Sequence, residues 1–565
     1  MYEVVSQSGG GGFVVATCDR SGHQSQPSRS LSTAEFLEYV ARVEPAGPRW
    51  VWADTSALYP LLLEHGIRVR RCHDLRLCHV ILRNSTLTLD SDLARQAPNR
   101  WDSAHRRDAD HRAPGATATL FDLDETGSAG VSIQNDDVGE FVSQLTAMAG
   151  SCDPARLRLL LAAESVGALI AAEMTRAGLP WRTEVHDRLL TAELGPRVAY
   201  GVRPERLEEL AVAIRTHLED PHLNPDSPSD LLRALQRGGL AVTSTRAWTL
   251  QELDHPVIEP LLRYKKLYRL LSANGWSWMD TWIVNGRFHP EYVPGGVVTG
   301  RWAARGGGAL QLPKQIRGAV VADEGWTFVV ADAAQLEPRI LAALSGDLVM
   351  AGAGRGTDLY AGIVANGVVD TRAHAKVAML GAMYGATTGE SGRLLPRLAR
   401  AYPRAIGLTE SAARAGERGE VVTTRLGRSS PTPGQPWHDA QAQAYDPGAT
   451  SSDEKRARSQ ARDWGRFTRN FIVQGSAAEW ALCWMAEVRK QLWLLCETDA
   501  GFDTAPHLVF FLHDEIIVHT PIALSARVAI VVNEAAATAG RLLFGDFPVD
   551  FMLTVATVDT YAEAK

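Results

Sequence analysis

Two acidic stretches far apart in the chain carry the strongest chemical signal. In residues 328–347, FVVADAAQLEPRILAALSGD, four apolar residues of strand character run into Asp332, after which Leu336, Ile340, Leu341 and Leu344 recur at helical spacing. In residues 507–521, HLVFFLHDEIIVHTP, two apolar runs flank His513, Asp514 and Glu515, which predicts a hairpin with two carboxylates at its tip. If Asp332 and Asp514 meet, they offer hard oxygen ligands to divalent cations. Mg²⁺ suits such a site, because it is usually held by one or two carboxylates together with substrate phosphates. Paired ions there stabilise both the attacking and the leaving oxygen of an in-line displacement.

Two further stretches place long polar side chains on single helix faces. In RAHAKVAMLGAMYG, Arg372, Lys376, Leu380 and Tyr384 recur every four residues and line one slowly drifting face. Two cations, an apolar residue and an aromatic in that order suit a triphosphate below and a base above. In RFTRNFIVQGSAAEWAL, Arg466, Asn470 and Gln474 are again four apart on an otherwise apolar helix, where they could read minor-groove edges or sugars. A lysine on a helix is most often only solvated, so neither stretch decides the matter alone.

The elements that must position these residues belong to a chain of several domains. It has 565 residues, 45% apolar and 22% charged, ordinary for a soluble globular protein. The first twenty residues lack a basic run followed by an apolar core, and no stretch is expected to supply the ~20 apolar residues of a membrane span. The expected setting is the cytoplasm, with no membrane partner. Six cysteines do not make a disulfide scaffold here. Cys72-His73 and Cys78-His79 fit no zinc spacing and read as buried structural residues. A net charge of −7 excludes a wholly basic nucleic-acid binder but not a local basic groove.

Residues 1–160 read as short strands and loops, with Gly9 to Gly12 separating two strand-like runs and a helix over 55–65 leading into a strand. The polar stretch 95–115 carries His105, Asp108, Asp110 and His111 and reads as a surface insertion rather than a metal cluster. From 154 to about 290 the pattern is helical, with Gly178 a helix stop. In PLLRYKKLYRLLSANG, Leu261, Tyr264, Tyr268 and Leu271 are expected to share a buried face. Arg263, Lys265, Lys266 and Arg269 lie off it, either solvated or straddling phosphates. Residues 432–461, rich in Pro, Gln, Ser and Ala, read as a loop or insertion.

Taken in order, these motifs resemble the family A DNA polymerases, the bacterial polymerase I type. VVADAAQLEPRI is similar to that family's motif A, DYSQIELR. RAHAKVAMLGAMYG is similar to motif B, RxxxKxxxFGxxYG, and LHDE to motif C. Thr299-Gly300-Arg301 followed by LQLP resembles the TGR…LQNIP segment, and RFTRNFIVQG the RxxxNxxxQG helix. The likeness runs from about residue 260 to the C-terminus.

The resemblance implies a multidomain α+β and α/β protein. An N-terminal RNase H-like, 3′-5′ exonuclease-like domain would span 1–160, followed by a right-hand polymerase domain. Its thumb and connecting helices would cover 161–298, the first part of an antiparallel palm sheet 299–355, the fingers 356–461 and the second palm part 462–565. The large 5′-nuclease domain of full-length relatives is expected to be missing. Implied partners are primer–template DNA and dNTPs, with two Mg²⁺ ions for which Mn²⁺ can substitute, acting on a monomer in DNA replication or repair. Asp332 and Asp514 would hold the metals, joined by the Ala333 backbone carbonyl and supported by Glu515. Arg372 and Lys376 would grip the triphosphate and Tyr384 would close the pocket. Glu337 would block a ribose 2′-OH, while Gln335, Tyr360 and Leu380 would complete the nucleotide site. Arg301, Gln311, Arg466, Asn470, Gln474 and His513 would track the primer–template minor groove.

The departures from the family pattern concern packing. Ala333 and Ala334 replace Tyr-Ser, and Pro338 replaces Leu. Leu380 stands where the family has an aromatic, and Tyr360 where it has a histidine. The N-terminal domain lacks the D-x-E of an exonuclease: GFVVATCDR offers only Asp19, Leu58 takes the place of an expected aspartate, and Asp122, Asp124 and Glu125 come too late. A vestigial exonuclease is expected, although a polymerase that retains the activity stays open. Two rival readings also stay open. A single-subunit RNA polymerase is opposed by Glu337. A DNA-end-binding homologue with lost catalysis is opposed by the Asp332/Asp514 pair.

Overall fold

The computed structural model describes the whole chain apart from residues 9, 103–135, 200, 252, 306–307, 309–311, 386–388, 496–500 and 565. His105, Asp108, Asp110, His111, Asp122, Asp124, Glu125 and Gln311 therefore lie outside the described residues. The chain divides into two compact units. One comprises 1–176, 292–303 and 329–556, the other 177–291, 304–328 and 557–565.

The first unit opens with a five-stranded mixed sheet. Its order is Arg29–Leu31, Phe13–Cys18, Tyr2–Gln7, Arg49–Trp52, Cys72–Asp74. The first three strands pair antiparallel and the last three parallel. Period-two alternation sends neighbouring side chains to opposite faces. Val5, Val15, Trp50 and Trp52 pack with Phe36 and Tyr59 on one side. Val4, Ala16 and Val51 pack with Leu75 and Phe141 on the other. This part holds more helix than the sequence suggested: Thr33–Val43, Leu75–Asn84 and Asp137–Ala149 join the expected helix, which runs Thr55–Glu64. The strand after that helix begins only at Cys72.

Cys72, His73, Cys78 and His79 are all buried, as read from the sequence. His73 Nε2 meets Gln144 Oε1 at 2.7 Å and His79 Nδ1 meets Glu140 at 2.8 Å. Burial holds the His73 imidazole down at about 4.

A second sheet orders His507–Leu512, Glu515–Pro521, Trp326–Ala333 and Leu553–Val558. Two long helices accompany it. Ser451–Leu495 runs 45 residues without a break, and Ser525–Phe544 follows the sheet hairpin. The reading of 432–461 as a loop is corrected here. Gln435–Ala444 is a helix with Pro436 in its first turn, and the long helix has already begun at Ser451. Gln and Ala are good helix formers, and Pro in a first turn removes an N–H that has no intrahelical partner. Across the start of the long helix, the Asp453 carboxylate accepts from Thr450 N–H at 2.9 Å and the Thr450 hydroxyl accepts from Asp453 N–H at 3.3 Å.

The expectation about apolar length is also corrected. Among the described residues, Ile522–Phe544 is long and apolar enough to cross a membrane by length and composition. Its Val528, Val532, Ala535 and Ala539 are buried, and Trp484 Nε1 donates to the Val532 carbonyl at 3.0 Å.

In the second unit, Ile258–Asn274 is the expected amphipathic helix, with its buried face rotated. Ile258, Leu261, Tyr264, Leu267 and Leu270 are inside and Tyr268 is exposed. The face expected from the sequence steps by three, four and three residues, whereas the buried positions from Ile258 to Leu270 step by three throughout, which turns the face by about 60° per step. Lys265 is not a free cation, since its ammonium donates to the Thr245 carbonyl and hydroxyl.

Candidate active site

Asp332 lies near the end of the strand Trp326–Ala333, and Asp514 in the turn between His507–Leu512 and Glu515–Pro521. These last two strands form the predicted antiparallel hairpin, closed by the Leu512–Glu515 pair. Asp514 N–H bonds to the Leu512 carbonyl at 2.8 Å around His513, whose φ is +60°. A three-residue turn about a positive-φ residue is the rarer, strained kind. Alternation sends Glu515 into the interior at 2% exposure, whereas His513 is exposed and Asp514 half-buried. The contact that joins them is made by backbone. Ala333 N–H donates to the Asp514 carbonyl at 2.9 Å, so the two acidic stretches are joined at Asp514 itself and one residue after Asp332.

The turn after Asp332 is held open by a buried arginine. Gln335 sits in the left-handed region at φ +50° and starts the helix Leu336–Ser345. Pro338 falls in the first turn of that helix, where its missing N–H costs nothing, which explains how the chain tolerates this departure. Arg339, 1% exposed, donates to four carbonyls: Ala334 at 2.9 Å, Gly354 at 2.7 Å, Asp550 at 2.8 Å and Thr357 at 2.8 Å. It clamps the loop that carries Asp358 against the strand turn.

Glu337 is the meeting point of three motifs. Arg301 makes an ion pair with it, and the Tyr384 hydroxyl donates to its other oxygen at 2.5 Å. Burial, followed by the Glu337 charge, pushes the Tyr384 phenol well above its ordinary value. Arg301 is presented by a turn through Gly300 at φ +85°, where a Cβ would stand 2.5 Å from Arg428 Nε. Only glycine fits both the backbone and the space.

The helix Arg372–Tyr384 shows the stripe expected of it. Ala375, Ala378, Met379, Ala382 and Met383 are buried, while Arg372, Lys376 and Tyr384 are exposed and Leu380 is half-buried. Thr371 caps its start by accepting from His374 N–H at 3.1 Å. At its end, Gly385 has φ +76°, and a Cβ there would lie 2.9 Å from Arg466 Cγ. On the long helix, Arg466 is exposed and Asn470 and Gln474 half-buried, while their neighbours Arg469, Phe471, Val473 and Gly475 are buried. Arg469 joins the two helices, donating to the Ala382 carbonyl at 3.1 Å and pairing with Glu410 at 2.7 Å.

Arg372 is engaged by a residue that the sequence did not single out. Its guanidinium bonds Asp358 Oδ2 at 2.7 Å and lies 5.5 Å from the Tyr360 ring. Asp358 also accepts from Gln335 Nε2 at 3.0 Å and caps the helix Leu359–Ala365 through Ala361 N–H at 2.8 Å. Partial burial opposes its ionisation, but the Arg372 and Ala361 bonds outweigh it and hold the carboxyl below its ordinary range. Tyr360 is buried, and burial followed by the Glu337 charge raises its phenol to about 12. An aspartate one residue before an apolar helical run was the available signal for Asp358. For Arg339 it was a cation inside the apolar run LEPRIL. Gln311 alone among the expected site residues lies outside the described ones.

The family model for DNA polymerase family A matches residues 203–560. The chain belongs to DNA polymerase family A. Among relatives, this family A chain is 33% identical to DNA polymerase I of Chloroflexus aurantiacus over 172 residues, which is 27% of this chain and 18% of that protein. Against the thermostable DNA polymerase I of Thermus thermophilus it is 27% identical over 324 residues, 52% of this chain and 35% of the relative. Against DNA polymerase I of Aquifex aeolicus it is 25% identical over 327 residues, 55% and 52% respectively. The matches thus span between about a fifth and about half of these relatives' length. In fold, the chain is similar to the POL domain of Pol1 from M. smegmatis, solved in complex with DNA primer-template and dNTP. The TM-score is 0.65 at 16% identity, covering 100% of this chain and 95% of that one.

Proposed function

We propose that this chain is a DNA-directed DNA polymerase that adds dNTPs to a primer 3′-OH opposite a template, in replication or repair. The observation that supports the reading is the Ala333–Asp514 backbone bond, which joins the strand end and the turn that carry the motif A and motif C aspartates. The donor set fits Mg²⁺, with Mn²⁺ able to substitute: Asp332, Asp514 and the Ala333 carbonyl are all hard oxygen ligands. Among the described residues no group of three or more His, Cys, Asp or Glu side chains gathers as a metal cage. When bound, such ions supply Lewis-acid stabilisation of the attacking and leaving oxygens.

The chain's own residues do the rest. Arg372 and Lys376, one helical turn apart and both exposed, bind and orient the triphosphate. Glu337, pinned by Arg301 and Tyr384, fills the space a 2′-OH would need. Leu380 offers an apolar flank to the base and sugar. Gln335 and Tyr360 back the triphosphate side through Asp358 and Arg372. Arg301, Arg466, Asn470, Gln474, His513 and Gln311 track the primer–template, and Glu515 supports the hairpin from within.

Residues 1–160 are assigned as a degenerate exonuclease-like domain. The mixed sheet supports the fold assignment, and the engagement of its acids supports the loss of activity. Glu3 accepts from Thr17 and Tyr39, each at 3.0 Å. Asp19 ties its own turn through Ser21 and His23, and Asp74 caps Leu77 and holds Thr55 N–H. Residues 161–298 are assigned to the thumb, 299–355 and 462–565 to the palm, and 356–461 to the fingers, in a monomer.

Primer extension tests the reading. Asp332→Asn and Asp514→Asn are expected to abolish extension with Mg²⁺ while leaving duplex binding nearly intact, because phosphate contacts elsewhere supply affinity. Extension within tenfold of wild type in both variants would refute the assignment. Shortening of 3′ ends that survives Asp332→Asn would overturn the view of the N-terminal domain.

A further inference from the structure

Away from the motif residues, the first unit contains a cavity of about 600 Å³. Its volume falls in the range of small-molecule sites, roughly 300–1,000 Å³. The floor is made of short apolar side chains on two helices, Ala162 and Val166 on Pro154–Ala177 and Ala486 on the long helix. Trp493 forms a wall, and Arg70, Arg71 and Lys490 stand at the mouth.

The back of the cavity is rigid. Arg489, 3% exposed, is bonded to both oxygens of Glu173 at 2.7 and 2.9 Å. It also donates to the carbonyls of Val69 at 2.6 Å and Arg70 at 2.9 Å. The Trp493 ring has the guanidinium carbons of Arg68 at 4.6 Å, Arg489 at 5.5 Å and Arg70 at 5.9 Å. A wall braced in this way cannot collapse into the space between the helices.

The mouth carries more cations than carboxylates, although Glu44 accepts from Arg70 N–H at 2.8 Å. Lys490 shares the one lining carboxylate, Glu487, at 3.1 Å. Arg71 donates only to backbone carbonyls, those of Gly47 at 2.5 Å and Pro48 at 3.4 Å. Among the described residues no carboxylate pairs with Arg70 or Arg71. Arginine at the edge of an apolar pocket favours a carboxylate, sulfonate or phosphate on a ligand whose body is apolar.

We infer that this cavity binds an amphipathic organic anion, with a flat apolar body on the Ala162–Val166–Ala486 floor and its acidic group at Arg70 and Arg71. The site stands apart from the polymerase reading, since none of its lining residues belongs to a polymerase motif.

The test uses the full chain and 8-anilinonaphthalene-1-sulfonate as probe, followed by calorimetry and fluorescence. Its uncharged analogue, N-phenyl-1-naphthylamine, serves as comparator. Saturable one-to-one binding of the sulfonate is expected, unaffected by dATP. Ala162→Phe, which fills a half-buried position on the floor, should abolish it with an unchanged melting profile. Arg70→Gln combined with Arg71→Gln should weaken the sulfonate by about three- to tenfold, the scale of two exposed ion pairs, and leave the neutral analogue unchanged. Three results would each overturn the inference: no saturable binding, displacement by dATP, or equal effects of the arginine substitutions on charged and neutral probes. Should Ala162→Phe fail to fold, the arginine comparison decides alone.

Discussion

If Arg372 grips the triphosphate as proposed, Asp358 should compete with the incoming nucleotide for it, and the competition can be measured. In the structure the Arg372 guanidinium spends its best hydrogen bond, 2.7 Å, on Asp358 Oδ2, and Nε lies 3.3 Å from both carboxylate oxygens. A nucleotide phosphate must displace that carboxylate to gain the same donor. The side chains are 57% and 30% exposed, so solvent screens the pair. Exposed pairs of this kind are worth about 0.2–1 kcal/mol. Removing the charge should therefore tighten dNTP binding by about 1.4- to 5-fold. Asp358→Asn is the appropriate change, because an amide oxygen still accepts the capping bond from Ala361 N–H. The assay is equilibrium dNTP binding to the protein–primer–template complex, in wild type, Asp358→Asn, Arg372→Ala and the double variant. The gain should appear with Arg372 present, vanish in the Arg372→Ala background, and shrink with added salt. A gain that persists without Arg372, or a loss of affinity in Asp358→Asn, would refute the competition.

Glu337→Ala should admit ribonucleotides, since it removes the group that Arg301 and Tyr384 hold in place; an unchanged dNTP/rNTP ratio in primer extension rejects the steric role. Leu380→Phe should lower the apparent KM for dNTP several-fold with little change in DNA affinity, because aromatic–base stacking is worth roughly 1–3 kcal/mol; an unchanged KM, or a fall in melting temperature from overpacking, places Leu380 in the core instead. His73 is buried with its imidazole held at about 4, below an unfolded value near 6.5. Its contribution is thus complete above about pH 6.5 and lost as pH falls towards 4, by about 3 kcal/mol. His73→Gln should flatten the acid limb of a melting-temperature profile over that window, and an unaltered slope would contradict the linkage.

The site was legible in the sequence where function and periodicity coincide. A strand ending in Asp332, a hairpin bearing Asp514 and a helix stripe at Arg372, Lys376, Leu380 and Tyr384 each need only local spacing to be seen. The structure brings Glu337, Arg301 and Tyr384 together from motifs that the resemblance had already singled out. Residues acting through partners distant in sequence stayed hidden. Asp358 looks like an ordinary helix cap until Gln335 and Arg372 arrive from either side. Arg339 looks like a misplaced surface cation until four carbonyls surround it. Composition misled at 432–461, where Pro and Ser suggested a loop although Pro436 only begins a helix. On Ile258–Asn274, a four-residue step from Tyr264 put Tyr268 inside, whereas the buried face continues by three residues to Leu267 and leaves Tyr268 in solvent.

The order of the strands in the second sheet has a consequence for biosynthesis. Trp326–Ala333 lies between Glu515–Pro521 and Leu553–Val558, both of which leave the ribosome much later. Roughly 180 residues separate it from the first neighbour and 220 from the second, so at about 5–20 residues per second it waits on the order of 10–40 s with both edges unpaired. During that interval the nascent chain exposes an apolar strand, which calls for shielding by a holdase or by the growing helices. The same order means that no product truncated upstream of the hairpin can bring Asp332 and Asp514 together. A message cut short upstream of the hairpin would yield a protein with Arg372 and Lys376, the residues proposed to grip the triphosphate, but without the second carboxylate proposed to act on it.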